Sequence, residues 1–582
     1  MEVLEGWSAF QGDEAVVAYP LKQEAAVVLP LFPADSLVMA INGLSNAELA
    51  MALRHKLVAL ARTPTDTLYG AATNHGRDHA AAHGLRLAAD IDPRDLQDAI
   101  FECRGQSLLH RAVTRLASAQ PAASARRRLN LRQGSVFVVL AVLAAVAYWR
   151  LETGTVYLLF SFCSCLFFTS LVALRILCLL PTGAARQRRA APLAATDLPP
   201  YSVFVPLFRE TAVLGQLITA LSALRYPIGK LDIKLILEEN DQRMIEAVAR
   251  LDLPDHFDII IVPQGQPQTK PRALAFAMGF ARGSLLTIYD GEDIPERDQL
   301  LRAASYFAEA GPELACLQAR LVCYNPKENW LARQFTAEYA ALFSVILPGL
   351  AENALPLPLG GTSNHFRVKA LEAVGGWDPF NVTEDADLGY RLASAGYRTG
   401  VLDSTTYEEA STEYSNWMKQ RRRWLKGFLQ TWLVHMRRPS HLWRALGWDG
   451  FWSFQAMTLG VFLSALLHPF MLAHTVWFFA SGAALEQAQE IFHALAVGIS
   501  IAILLAGYGV GIASAAVGLR RSGIIGFTGT LATIPLYWLL MCPAAWAALW
   551  DFLVRPHHWH KTRHGLSAFQ QRARRATRPS SP

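Results

Sequence analysis

The sequence predicts an α/β domain with a mostly parallel sheet, set between groups of transmembrane helices and preceded by a small helical module. Three observations predict this. Charged residues make up only 18% of the 582 residues and hydrophobic ones 52%, whereas a soluble protein carries about a quarter charged residues; here the deficit is gathered into long apolar runs. Between residues 198 and 415 short apolar runs alternate with helical stretches, the pattern of a sheet with helices on its faces. Basic clusters at Arg126–Arg128, Arg186–Arg189, Arg421–Arg423, Arg437–Arg438 and Arg572–Arg578 border apolar runs, as expected on a cytoplasmic membrane face. The length allows two to four domains at about 100–200 residues each.

Residues 1–125 read as a cytosolic helical module. Met1–Gly6 is acidic and is not the start of a secretory signal peptide. Ser45–Ala61 has helical spacing of apolar residues behind a capping serine. Asp92-Pro93 reads as a second helix start, with proline just inside. His75, His79 and His83 stand four apart, a spacing found in metal sites, but Gly76 and the lack of acidic partners favour exposed histidines, with His110 apart from them. Of seven cysteines, Cys163, Cys165, Cys178 and Cys542 lie in apolar runs, while Cys103, Cys316 and Cys323 are scattered. No Cys-x-x-Cys pair exists, so neither a zinc site nor a disulfide framework is expected.

Residues 134–181 form a transmembrane hairpin from Gly134–Trp149 and Thr155–Leu180, since a span needs about 20 apolar residues. Arg175 lies near the end of the second span, where its stem can snorkel to the headgroups. In the region 198–415, strands are expected at Ser202–Phe208, Ile233–Leu237, Phe257–Val262, Leu285–Tyr289 and Leu314–Val322. Helices are expected at Ala212–Leu224, Pro271–Ala281, Glu296–Ala308 and Glu328–Leu347. Residues 416–440 are amphipathic and basic and suit a membrane surface. In residues 449–553, Phe451–Ala480 and Ile491–Leu519 can each span. Ile524–Leu553 is broken by Pro535, Pro543 and glycines, so it is expected to lie in the interface or re-enter. A basic cytosolic tail, 554–582, requires an even number of crossings; four are favoured, with a fifth or sixth crossing as the alternative.

In open α/β sheets ligands bind at the carboxyl ends of strands, and three such ends are polar: Arg209-Glu210, Glu238-Glu239-Asn240-Asp241 and Asp290-Gly-Glu292-Asp293. Acids after the second strand suit a base or ribose. Three acids within four residues repel unless a cation joins them, and hard oxygen ligands favour Mg2+ or Mn2+. Lys270 and Arg272 stand near a helix start, where backbone N–H groups also favour anions. Thr383-Glu384-Asp385 opens a helix whose first turn stabilises charged acids, and a base that takes a hydroxyl proton must be ionised and within hydrogen-bond reach. Asp385 is the preferred base, ahead of Glu384 and then Asp387. Some thirty residues on, Trp417–Gly427 gathers five cations and two tryptophans: guanidinium forks suit phosphate oxygens, and an indole suits a sugar face. Basic blocks also serve nucleic acids, but none here sits in a recognisable binding module, so no nucleic-acid partner is expected.

In their order and spacing, the acids after the second strand, Asp290-Gly-Glu-Asp293, Thr383-Glu384-Asp385 and Gln420-x-x-Arg423-Trp424 resemble the processive family 2 glycosyltransferases, the group of cellulose and hyaluronan synthases, and within it bacterial β-glycan synthase-like members. The likeness covers about Pro199–Arg438 closely and the flanking spans loosely. It implies a Rossmann-like catalytic domain of GT-A type and inverting transfer from a nucleotide-diphosphate sugar, a UDP-sugar, to a growing polysaccharide that leaves through the protein's own helices. By position it implies Asp385 as base with Thr383 and Glu384 beside it. Arg423 would hold the diphosphate, Gln420 and Trp424 the acceptor end, and Gly361 and Thr362 the acceptor pocket. Asp290 would be the first metal acid, with Glu292 or Asp293 the second, since Asp-Gly-Glu-Asp replaces the family's Asp-x-Asp. Glu239 or Asp241 would contact the uridine, with Arg209 and Glu210 near the base. The expected location is a bacterial inner membrane with the catalytic domain on the cytoplasmic side, the bilayer and export components being its partners. No C-terminal barrel with a cyclic di-GMP-binding arginine motif is present, so the resemblance does not extend to that regulation. Two other readings are a non-processive transferase acting on a lipid-linked acceptor, and a non-catalytic membrane component of a polysaccharide or surface-receptor assembly. The Gln-x-x-Arg-Trp block and the spans on both sides disfavour the former, and the intact acids disfavour the latter.

Overall fold

The computed structural model describes residues 29–180, 190–480 and 491–567. The basic segments 186–189 and 572–578, and the N-terminal Met1–Gly6, lie outside the described residues.

The first unit is not wholly helical. Leu57–Arg62 (β1) pairs antiparallel with Thr67–Ala71 (β2), which pairs parallel with Arg86–Asp90 (β3). The helix expected over Ser45–Ala61 runs from Asn46 to His55 and stops at Lys56, whose φ of 57° is left-handed. Ser45 and Glu48 cap its start reciprocally. The run after it, Leu57–Ala61, is buried along its whole length, and periodicity alone cannot separate such a run from a helix. The long Pro93–Ala119 helix then packs on the second unit, and one hydrophobic core runs from Leu37 and Leu96 to Phe204 and Trp377. Lys56 pairs with Asp258 at 3.0 Å, and buried Lys234 bridges Asp258 and Asp232 at 2.8 and 2.9 Å.

The second unit is built on an eight-stranded sheet: Tyr201–Leu207 (β4), Leu231–Glu238 (β5), Phe257–Val262 (β6), Leu285–Ile288 (β7), Ile294–Pro295 (β8), Leu314–Cys323 (β9), Asn364–Arg367 (β10) and Arg398–Glu408 (β11), in the order β6-β5-β4-β7-β10-β9-β11-β8. β4 to β7 are parallel to one another, β10 runs antiparallel to both β7 and β9, and β9 is parallel to β11. The sheet is therefore mixed. β10 is only four residues long and β11 carries buried Ser404, Thr405 and Thr406, so neither makes an apolar run. The hydroxyls of β11 find partners inside: Gln299 donates to Ser404 Oγ and Thr406 Oγ1 at 3.2 and 3.1 Å, and Ser363 Oγ donates to Thr406 Oγ1 at 2.7 Å.

Among the described residues, five helices are long and apolar enough to cross a membrane: Leu131–Arg150, Leu158–Leu179, Pro439–Ala473, Leu495–Arg521 and Ile534–Val554. The last is continuous: Pro535 sits in its first turn, where no backbone donor is needed, and Pro543 is accommodated inside the helix. Gly523 and Gly526, with positive φ, fall in the preceding connection. It is also the most buried of the five, and both its ends are tied to one helix, Tyr414–His435. Trp417 Nε1–H donates to the Tyr537 hydroxyl at 3.0 Å, and Arg422 pairs with Asp551. Exposed Trp443, Trp448 and Trp452 cluster around a kink at Gly447, as aromatic residues do at a membrane interface.

Candidate active site

A single cavity of about 770 Å3 begins at the carboxyl ends of β4, β5 and β7 and continues between the apolar helices. Its sheet end is lined by Glu210, Glu238, Lys270, Asp290, Glu292, Gly361, Thr362, Thr383, Glu384, Asp385, Glu408, Gln420, Arg423 and Trp424.

The turn after β7 divides its three acids. Asp290 accepts a bond from Lys270 Nζ, which also donates to the Gly361 carbonyl at 2.7 Å. Asp293 does not line the cavity: its carboxyl is buried, receives the Thr362 hydroxyl and the Asp290 backbone N–H (2.8 Å), and is pushed well above the usual range by burial and then by Asp290. It shapes the turn and leaves Glu292 as the second acid facing the cavity. Glu292 Oε1 meets His564 Nδ1 at 2.7 Å, while its Oε2 is buried with no partner. Burial would raise this carboxyl, but the His564 charge outweighs it and holds it down at about 2; His564 itself is raised by Glu292 against burial to about 9. Glu210, Glu292 and His564 bring one ligand atom each within 4.8 Å of one another. Glu210 also receives Lys561 Nζ.

The acids after β5 are sorted by the same logic. Glu238 lines the cavity and is held by buried Arg272, which also donates to the Gly265 carbonyl. Glu239 and Asp241 do not line it. Glu239 accepts the Gln264 N–H at 2.7 Å, and Asp241 caps the Gln242–Ala249 helix and accepts the Arg209 N–H. Arg209 is exposed, its guanidinium over Phe208 at 4.8 Å. Of the two cations expected near the anion-favouring helix start, Lys270 therefore faces the cavity and Arg272 backs it.

Thr383 precedes the Glu384–Ser394 helix, but its hydroxyl does not cap it; it faces Thr431 at 3.4 Å. Any side chain at Gly427 would strike Thr383, so this glycine lets the Tyr414–His435 helix close on the acids. A methyl on Gly361 would lie 3.3 Å from Asp385 Oδ2 and 3.9 Å from Lys270 Nζ, which places the proposed base beside the cation that holds Asp290. Burial pushes the Asp385 carboxyl up, and burial followed by the Asp385 charge takes Glu384 to about 8.

Arg423 lies over Trp559 at 4.4 Å and reaches the Val382 carbonyl, with its Nε–H buried and unpaired; the Gln420 amide oxygen is likewise orphaned. Trp424 stacks with Tyr339 at 6.1 Å beneath Arg421, whose guanidinium is 4.4 Å from the indole and 2.7 Å from Glu338. Arg421 is thus part of the packing that fixes Trp424.

Residues 285–548 match the family model described as Glycosyl transferase family group 2. That stretch is similar to a family 2 glycosyltransferase domain. The chain is similar to a beta-monoglucosyldiacylglycerol synthase of Synechocystis sp. (28% identical; 46% of this chain, 56% of that one). A probable glycosyltransferase of Bacillus subtilis (24%; 40% and 56%) and a probable glucomannan 4-beta-mannosyltransferase of Arabidopsis thaliana (22%; 40% and 43%) are further relatives. The chain spans about half the length of the curated relatives it matches. A solved Pyrobaculum calidifontis mannosyltransferase, 18% identical over 67% of this chain and 96% of its own, aligns with a TM-score of 0.41.

Sequence reasoning named Glu238 only as a member of its acidic cluster, preferring Glu239 or Asp241, and missed Glu408 and the tail as parts of the site. His557, Trp559, Lys561 and His564 fold back over the cavity, anchored where Asn416 exchanges two hydrogen bonds with the Arg563 backbone at 2.9 Å. The dense run His557-His-Trp-His-Lys-Thr-Arg-His564 after an apolar helix was the available signal.

Proposed function

We propose that this protein is an inverting glycosyltransferase that moves a sugar from a nucleotide-diphosphate sugar onto an acceptor hydroxyl, the acceptor being a growing polysaccharide threaded between its own apolar helices. The observation that carries this is the continuity of one cavity from Asp290 and Asp385 past Trp424 into the helices. Asp385 would take the acceptor hydroxyl's proton. The acceptor oxygen would bond to the sugar's anomeric carbon as the bond to the diphosphate breaks, the electron pair leaving with the nucleoside diphosphate. Lys270 and Arg423 would balance the charge of that diphosphate, and Trp424 would offer its face to the acceptor sugar.

The residues present fit a divalent cation. Two carboxylates and an imidazole converge, and one Glu292 oxygen is buried without a partner. Glu210, Glu292 and His564 would hold Mg2+ or Mn2+, and the nitrogen ligand tilts the set towards Mn2+. Such an ion supplies charge neutralisation for phosphate oxygens.

A second reading, a single transfer to a lipid-linked acceptor, is favoured by the name of the Synechocystis relative and by the apolar walls of the helical part. Purified protein in nanodiscs with Mn2+ and a panel of nucleotide-diphosphate sugars separates the two. The first reading expects products that lengthen with time and yield to a linkage-specific glycosidase. Lipid bearing one sugar, with no longer product, would replace it by the second.

A further inference from the structure

The expectation that Arg175 snorkels outward is not met. Its guanidinium turns inward, 5.7 Å from the Trp538 ring centroid, and lines the cavity between the helices. Gly511 makes room for it: a Cβ there would lie 3.3 Å from Arg175 Nη1 and would strike Trp538. Trp538 in turn stacks on Tyr508 (5.4 Å between centroids, 15° between planes), whose hydroxyl meets His468 Nε2 at 2.9 Å. Among the described residues Arg175 has no hydrogen bond and no ion pair. The carboxylate whose charge acts on it, Glu338, is already held by Arg421 and by the Tyr537 hydroxyl, both at 2.7 Å. Among the described residues, no aspartate or glutamate lines the helical part of the cavity beyond Glu338.

A permanent cation between apolar walls is expensive without an anion, and the low dielectric that makes it so strengthens any charge that joins it. The guanidinium fork matches the oxygens of a carboxylate or a phosphate, and the indole–phenol stack beside it offers flat faces to a sugar ring.

We propose that Arg175, with the Trp538–Tyr508 stack, forms an anion-binding subsite that takes a carboxylate or phosphate group carried by the acceptor or product. This rests on reading the cavity as the acceptor's path. An acidic sugar within the glycan and the phosphate of an anionic lipid share this chemistry, and the test distinguishes them.

Binding is measured on purified full-length protein in detergent, with no donor present, so the outcome does not depend on catalysis and a failed transfer assay would not decide it. The probes are a tetrasaccharide of hexuronic acid against cellotetraose, and phosphatidic acid against diacylglycerol. Wild-type protein should bind at least one acidic probe tenfold or more tightly than its neutral partner. Arg175→Gln should abolish that preference, Arg175→Lys should keep part of it, and neither should change binding of the neutral probes. Preference for the uronate assigns the subsite to the glycan, and preference for phosphatidic acid to a lipid. Equal binding of acidic and neutral probes by the wild-type protein, a comparison that needs no variant to fold, would overturn the proposal. So would an Arg175→Gln variant that melts like wild type and keeps the preference.

Discussion

The two ends of the cavity are built on opposite principles. At the sheet end, Lys270 pairs with Asp290, Lys561 with Glu210 and Arg272 with Glu238, and the charge of Arg423 acts on Glu384 and Asp385. Between the helices, Arg175 stands over an indole with no carboxylate of its own among the described residues. A balanced cluster fixes protonation states before any ligand arrives, which suits bond making and breaking. A lone cation in apolar surroundings does no proton chemistry and selects by charge. The difference separates a place for reaction from a place for sorting.

The strongest way to break this comparison is at the base. Asp385→Asn keeps the shape and removes the proton acceptor. Transfer should fall by about 10²–10⁴-fold in initial-rate assays, with an unchanged melting temperature.

Falling pH should act as that substitution does. The base works ionised, and burial raises the Asp385 carboxyl while Glu384 beside it stands near 8. The two buried neighbours titrate as a pair. The acid limb of the kcat/KM profile should therefore lie above the ordinary carboxylate value of about 4, with activity lost as pH falls. A limb at the ordinary value would show that Asp385 is not buried in the working enzyme.

Removing a member of the proposed cation set should cost less. In Glu292→Gln or His564→Ala, the Mn2+ concentration giving half-maximal rate should rise about 10–100-fold, read by metal titration, while saturating metal restores most of the rate. Trp424→Ala sharpens the contrast at the junction of the two ends. Acceptor KM should rise about tenfold, the equivalent of about 1.4 kcal/mol, with donor KM little moved.

The smallest effect on transfer is expected farthest from the cavity. Asp258→Asn removes a carboxylate shared by Lys56 and buried Lys234. It should lower stability by about 1–3 kcal/mol in thermal or denaturant unfolding and leave kcat within about twofold, because the change lies away from every group that meets the substrate.

The parallel strands were legible because β4 to β6 each hold an unbroken apolar run, Val203–Val205, Leu235–Leu237 and Ile259–Val262, and β7 is Leu-Leu-Thr-Ile. β10 and β11 were not, since a four-residue strand and a strand rich in serine and threonine carry no hydrophobic pattern. Spacing brought Asp290, Glu384, Asp385, Gln420, Arg423 and Trp424 into view, and these do meet in the cavity. It could not say which acid of a cluster faces inward. Alternation along β5 and the turn after it turns Glu238 in and Glu239 out. The turn after β7 spends Asp293 on its own hydrogen bonds. Lys561 and His564 come from beyond the last apolar helix, more than 260 residues after Glu292, and only the folded chain brings that run back to the acids. Arg175 was seen as a charge at the end of a span, but its direction depends on Gly511 and Trp538, a helix away.

The most direct test of the central claim is release of nucleoside diphosphate by the purified protein in nanodiscs with Mn2+, across a panel of nucleotide-diphosphate sugars, with sugar incorporation measured in parallel. The account predicts that at least one donor is turned over with matching incorporation, and that Asp385→Asn removes both signals. Folded wild-type protein that turns over none of the panel, or an Asp385→Asn protein that turns over as wild type does, would contradict it.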